Sequence, residues 1–295
     1  MHNKISHSRE KSLKNDQYKE RLDSRDMKRV SDFINSEVGI QLPESKHTMV
    51  EGRLRKRLHI LGFKKFSDYL DHALNSPKNG SERLHLIDAI TTNKTEFFRE
   101  PEHFEYLIRE ALPVMEKNRK SDNRNELNLW SAGCSTGEEP YTLSMLLHEA
   151  AIKSPGLRYN ILATDISHSC LSVARKGIYP ETNISPVSME LRKKYLLRSR
   201  KPGLSLVCMG PEIKSRVHFD VLNLMDKQYN IKTKMDAIFC RNVMIYFDKT
   251  TCTELIGRFA LQLVSGGFLF VGHSESLNGI NTTLRQVAPM VYRKP

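Results

Sequence analysis

From Met27 onward the apolar positions fall at helical spacing, with Val30, Phe33, Ile34 and Val38 on one face and Gly39 as a stop signal. A second helix is predicted after Pro43, with Met49, Val50, Leu54, Leu58 and Leu61 inward and Gly62 ending it. A third runs from Ser67, a good N-cap, through Tyr69, Leu70 and Leu74, and a fourth covers Ser81 to about Ile90. Four short helices without a strand signal predict a small all-α domain over residues 27–103. Before it, residues 1–26 carry only Ile5, Leu13, Tyr18 and Leu22 among many charges and read as a mobile basic tail, although Tyr18 and Leu22 could extend a helix. Residues 104–126 read as a connecting helix (Phe104, Leu107, Ile108, Leu112) followed by the polar linker KNRKSDNRNE. From residue 127 the grammar changes to strand and helix in alternation: LNLWSAG and a helix from Glu138, YNILATDI and a helix from Ser167, AIFCRN and a helix from about Lys249, then FLFVGHS. Short apolar runs separated by amphipathic helices predict an α/β domain, 127–295, with a doubly wound parallel sheet. Within it, residues 203–219 read as extra strands of a small antiparallel β insertion at about 188–219.

Composition narrows the class. A chain of 295 residues and 34.0 kDa fits two domains and buries enough surface to fold without disulfides. No run approaches the ~18–20 apolar residues of a membrane span, and the first residues have no apolar core of a signal peptide. The five cysteines are odd in number, widely spaced and without a CxxC pair, which argues against a disulfide framework or zinc knuckle and for a reducing cytoplasm. A net charge of +12 attracts polyanions. In EGRLRKRLHILG, Arg53, Lys56 and Arg57 recur at i, i+3 and i+4, a basic helix face, and a second basic cluster (Arg192, Lys193, Lys194, Arg198, Arg200, Lys201) flanks the β insertion. No stacking aromatics or zinc fingers accompany the charge, so nucleic acid is not the expected partner.

The candidate chemistry sits at strand ends. In a doubly wound sheet the ligand lies beyond the carboxyl ends of the strands, and the loop after the first strand is SAGCSTGEEPYTL. Gly133 and Gly137 permit a tight turn and close backbone approach. A dinucleotide fold would place pyrophosphate on the following helix N-terminus. Glu138 and Glu139 occupy that end, and the glycine spacing matches neither GxGxxG nor GxxxxGK[ST]. Helix-dipole compensation is the structural alternative for the two glutamates. A ligand that lacks phosphate and carries positive charge suits the loop better, and S-adenosylmethionine has a sulfonium, an ammonium and no phosphate. Asp165 ends the second strand where a carboxylate can take both ribose hydroxyls; the alternative is a helix N-cap.

TTNKTEFFRE, SAGCSTGEEPYTL, ATDIS, AIFCRNVMIYFD and GGFLFVGHSESL, in that order, resemble the chemotaxis receptor methyltransferase (CheR) family over nearly the whole chain from about Met27. The resemblance implies a Rossmann-like S-adenosylmethionine-dependent methyltransferase domain preceded by an all-α domain. The implied activity is methyl transfer to glutamate side chains of chemoreceptors, giving γ-glutamyl methyl esters. It places Asn93, Thr95, Arg99, Glu139, Asp165, Asn223, Leu224, Arg241 and Asn242 at the cofactor, with no metal. Arg241, a buried arginine at a strand end, needs a partner, whereas Leu224 reads equally as core. Arg99 is expected to orient a carboxylate, of the cofactor or of the acceptor, and Tyr246 to donate a hydrogen bond near the reacting centre. The implied partners are acidic receptor helices, docked by Arg53, Lys56 and Arg57, and a C-terminal receptor tail peptide at the β insertion; the chain is expected to be a cytoplasmic monomer. The rival readings are a methyltransferase for another protein or small carboxylate, and an inactive S-adenosylmethionine-binding regulator.

Overall fold

The computed structural model describes residues 20–75, 77 and 80–295, which divide into one compact unit up to Thr92 and a second from Asn93. The expected tail at 1–19 lies outside the described residues. At residues 20–26 the expectation is corrected: Leu22 is buried, and helix α1 begins at Ser24 (Ser24–Val38). Asp23 caps it by accepting from Asp26 N at 2.7 Å, a start signal four residues ahead of the apolar pattern. Met27, Val30, Phe33, Ile34 and Val38 are buried, and Gly39 ends the helix at φ 72°. Helix α2 (His47–Leu61) buries Val50, Leu54 and Leu58, but Leu61 is exposed at the cap. Helix α3 (Phe66–Asn75) starts one residue before Ser67, which is therefore not its cap, and α4 (Ser81–Ile90) has the expected bounds.

The basic face on α2 is mostly committed to this unit. Arg57 donates to both carboxylate oxygens of buried Glu82, at 2.8 and 2.6 Å. Arg53 closes the end of α4 by donating to the carbonyls of Ile90 (2.6 Å) and Thr91 (2.9 Å), orphan acceptors of a helix C-terminus. Of the three expected docking residues only Lys56 is exposed, and exposed Lys64 and Lys65 follow. Packing demands at the α2–α4 contact have taken the two arginines.

In the second unit a seven-stranded sheet runs β6-β2-β1-β7-β8-β10-β9. Its strands are β1 (Leu127–Ala132), β2 (Tyr159–Asp165), β6 (Val217–Val221), β7 (Met235–Cys240), β8 (Leu263–Val271), β9 (Arg285–Ala288) and β10 (Val291–Arg293). The first five in spatial order pair in parallel; β10 is antiparallel to both neighbours. The order reverses between β1 and β7, so the crevice for a ligand opens at their carboxyl ends. A separate antiparallel sheet, β3 (Ile178–Pro180), β5 (Leu206–Met209) and β4 (Leu196–Arg198), forms the insertion.

Three boundaries differ from expectation. The insertion begins at 178 rather than 188, and Val217–Val221 leaves it to pair with β2 in the main sheet, Ile161 opposite Val217. The 104–126 connector is a core layer: helix α5 (Pro101–Tyr106), a π-helical turn (Leu107–Ala111) and α6 (Leu112–Ser121) bury Phe104, Leu107, Ala111, Leu112 and Met115 against the sheet. Phe104 stacks on Phe239, and Phe239 on Phe270, at 6.1 and 4.2 Å between ring centroids. Residues 93–103 accordingly belong with the sheet and not with the helical unit. The third difference is the β9–β10 hairpin, which the sequence reading does not contain.

Candidate cofactor site at the strand ends

The loop after β1 is held by its neighbours at almost every residue. Gly133 N and Cys134 N donate to Thr164 O at 2.8 and 2.9 Å, and Ser135 N donates to Asp165 Oδ2 at 2.7 Å. Ser135 Oγ donates to Asn93 O at 2.9 Å, which joins the loop to the segment 93–100. Both glycines are required, though not chiefly for a ligand. At Gly133 (φ 82°) a Cβ would stand 2.5 Å from Val243 Cγ2, and at Gly137 (φ 98°) 2.9 Å from Ala174 Cβ. The close approach read from these positions is made by the protein itself.

Helix α7 (Glu138–Lys153) then opens with the two glutamates. Glu138 turns inward, is buried and accepts from Thr136 Oγ1 at 2.6 Å; burial raises its pKa, with the Thr136 bond acting the other way. Glu139 accepts from Ser131 Oγ at 2.7 Å and from Arg241 Nη1 at 3.2 Å. Asp165 is buried and its second oxygen accepts from Ser167 N at 2.9 Å. It does not cap the next helix, α8 (His168–Lys176): Ser167 does, accepting from Cys170 N at 3.1 Å.

Arg241, at the end of β7, finds the partner its burial demands in a residue the sequence reading passed over. It donates to Glu100 Oε2 through Nη2 and Nε, at 3.0 and 3.3 Å, to Glu139, and through Nη2 to Arg99 O, and it lies 5.2 Å over the Phe104 ring. Asn242 Nδ2 donates to Glu100 Oε1 at 3.2 Å. Burial opposes ionisation of Glu100, but His103 beside it and the charge and hydrogen bonds of Arg241 and Asn242 hold its carboxyl well below the usual range. Glu275 is a second unforeseen anchor. Buried, it accepts from Asn242 N and Gly272 N, both at 2.6 Å, and fixes the loop that carries Tyr246; burial raises its pKa against those bonds. Phe98, Glu100, Ser135 and Asn242 all have positive φ near 50–60°. Four of the six such non-glycine residues among those described thus stand at this one edge, where strain is held by the surrounding bonds.

The remaining expected residues are placed as follows. Arg99 donates from Nη1 to Lys94 O at 2.9 Å and is partly exposed. Thr95 is half-buried on the same segment. Tyr246 is half-buried in the short helical turn Met244–Tyr246. Asn223 stands after β6, its Oδ1 accepting from Met225 N at 3.0 Å. Leu224 is buried with Trp130 and Met244, its carbonyl taken by Tyr229 and Arg258, so its side chain is core. Arg53, Lys56 and Arg57 lie in the other unit.

The charge count gives the site its chemistry. Glu100 and Glu139 pair with one buried guanidinium, Arg241, and buried Asp165 adds a third carboxylate, so carboxylates outnumber guanidinium groups there. Such a site suits a cationic, phosphate-free ligand and resists a pyrophosphate. Cys134 and Cys240 are driven well above the usual thiol pKa, chiefly by burial, and are not nucleophiles.

Residues 93–292 match the family model described as "CheR methyltransferase, SAM binding domain", and 25–91 match "CheR methyltransferase, all-alpha domain". The chain is 39% identical to a chemotaxis protein methyltransferase of Borreliella burgdorferi, over 91% of this chain and 94% of that protein. The identity is also 39% to the proteins of that name from Salmonella typhimurium (86% and 84%) and Escherichia coli (90% and 89%). Among the described residues no helix is long and apolar enough to cross a membrane.

Proposed function

The chain belongs to the CheR methyltransferase family and is an S-adenosylmethionine-dependent methyltransferase, and from that premise we propose that it methylates glutamate side chains on the cytoplasmic domains of chemoreceptors. The observation that supports this most is the placement of Asp165 at the end of β2 and of Glu139 in the first turn of α7, where a cationic nucleoside would find acceptors and a pyrophosphate repulsion. Bound S-adenosylmethionine supplies a sulfonium methyl that an anionic oxygen can take, leaving both partners neutral.

The protein's own residues have little proton chemistry to perform. A glutamate side chain has a reference pKa near ~4.3, so the acceptor is ionised at neutral pH and needs no general base. Positioning and exclusion of water carry the rate. Asp165 accepts from the ribose hydroxyls. Glu139, held by Ser131 and Arg241, faces the ammonium. Arg241 acts through Glu139 and Glu100: it ties the 93–100 segment to the end of β7 and so sets where Arg99 stands. Arg99 grips a carboxylate and the Tyr246 hydroxyl orients an oxygen at the reacting centre. The acidic receptor helix docks on Lys56, Lys64 and Lys65, exposed cations on and after α2. Incubating the protein with radiolabelled S-adenosylmethionine and receptor membranes should release label as methanol on alkaline treatment. Label absent, or stable to alkali, would overturn the glutamate assignment.

A further inference from the structure

At the edge of the cofactor site, and sharing Glu100 with it, lie three groups of a different kind. One ligand atom each from Glu100, His103 and His273 falls within 4.8 Å of the others. His103 is buried on α5, and neither ring nitrogen has a hydrogen-bond partner. Its Nδ1 stands 3.4 Å from Glu100 Oε2, at ion-pair distance, and its ring centroid is 5.3 Å from that of His273. A buried imidazole whose Nε2 has no hydrogen-bond partner and whose Nδ1 meets only a carboxylate is costly, and a metal ion bound at a nitrogen removes that cost. His273 is exposed and leaves the cluster open to solvent, with Glu102 pairing its Nε2.

We propose that Glu100, His103 and His273 form a binding site for a divalent transition-metal ion of the zinc class, with Glu102 at its mouth. Two imidazoles and a carboxylate suit zinc, cobalt or nickel and not the oxygen-loving magnesium or calcium. The site is regulatory. Glu100 is the carboxylate that Arg241 and Asn242 hold, so an ion that takes it competes with the tie between the 93–100 segment and the end of β7. Metal binding therefore lowers methyl transfer; this second part rests on the proposed function, the binding itself does not.

The test uses the full chain, prepared without a histidine tag and stripped with chelator. Cobalt(II) should give ligand-field absorption at one ion per chain, displaced by zinc and not by magnesium. His273→Ala, an exposed substitution, should weaken cobalt binding roughly 10–100-fold or more, as should His103→Ala. Because His103 is buried, the His273 variant decides the matter if the other fails to fold. No cobalt spectrum, or equal affinity in wild type and His273→Ala, overturns the site. Zinc should slow methyl transfer by the wild type and not by His273→Ala; equal inhibition of both overturns the regulatory part. A stripped protein that binds cobalt but never methylates receptor would count against the proposed function alone.

Discussion

At Asp165 a single carboxylate holds two backbone amides and, on the proposed function, a ribose. Asp165→Ala should weaken S-adenosylhomocysteine binding by roughly 1.5–3 kcal/mol, the range for hydrogen bonds to a charged group. Calorimetry checks this, and an unchanged affinity would reduce Asp165 to a strut for Ser135 and Ser167. Tyr246→Phe removes one hydroxyl and keeps the ring, so the cofactor should bind as before while receptor methylation slows; Arg99→Ala should nearly abolish turnover. Wild-type rates in both variants would misplace the reacting centre. Glu100 offers a pH prediction. Its folded pKa is depressed, so its stabilisation is present above the unfolded value near ~4.3 and is lost progressively as pH falls below it. Glu100→Gln should remove that acid-sensitive part. It should destabilise by less than the ~3–5 kcal/mol of a fully orphaned buried charge, because Glu139 still faces Arg241. Denaturant unfolding at neutral and acid pH measures both. Glu139 was visible beside a distinctive glycine loop and Asp165 at a strand end, and Arg241 through the family resemblance. Glu100 and Glu275 were not visible: their partners lie 141 and 33 residues away, and only the folded sheet brings them together.

Elements were legible where the chain punctuates itself. Gly39 and Gly62 end α1 and α2, and Glu138 opens α7, as the pattern indicates. Legibility failed where one pattern serves two structures. The alternation in Val217–Val221 suits the small sheet as well as the edge of the large one, and only the pairing with β2 decides. Phe104, Leu107 and Leu112 read as a connector because a helix covering a sheet and a helix spanning two domains share one stripe. The β9–β10 strands are only four and three residues long, below what alternation can announce. The same failure touches the basic helix, where spacing placed Arg53, Lys56 and Arg57 on one face but could not reveal that Glu82 and the end of α4 claim two of them. Arg57→Ala should therefore lower the melting temperature of the protein, since it strands a buried carboxylate, while Lys56→Glu with Lys64→Glu should leave it unchanged and raise the receptor KM. The reverse pattern would restore the arginines as the docking groups.

Over the whole molecule, +12 is the number that acts at a distance. On the proposed function, an acidic receptor helix approaching through that field is steered, and methylation should slow as salt shortens the screening length toward ~8 Å at physiological ionic strength. The slope should be shallower in the lysine double variant; a salt-independent rate would remove steering from the account. The tie between Glu100 and Arg241 has a consequence of another sort, in time. Its partners are 141 residues apart, so at roughly 5–20 residues per second a ribosome has delivered Glu100 about 7–28 s before Arg241. Once residue 165 is made, β1 and β2 exist without β7, and Phe104 without the ring of Phe239 on which it stacks. The nascent second unit is an unfinished sheet with an apolar face showing, and the helical unit ahead of it has long since left the tunnel. Until β7 is made the chain is exposed to aggregation, and β7, which brings Arg241 to Glu100, begins to cover a face that β8 and β10 complete.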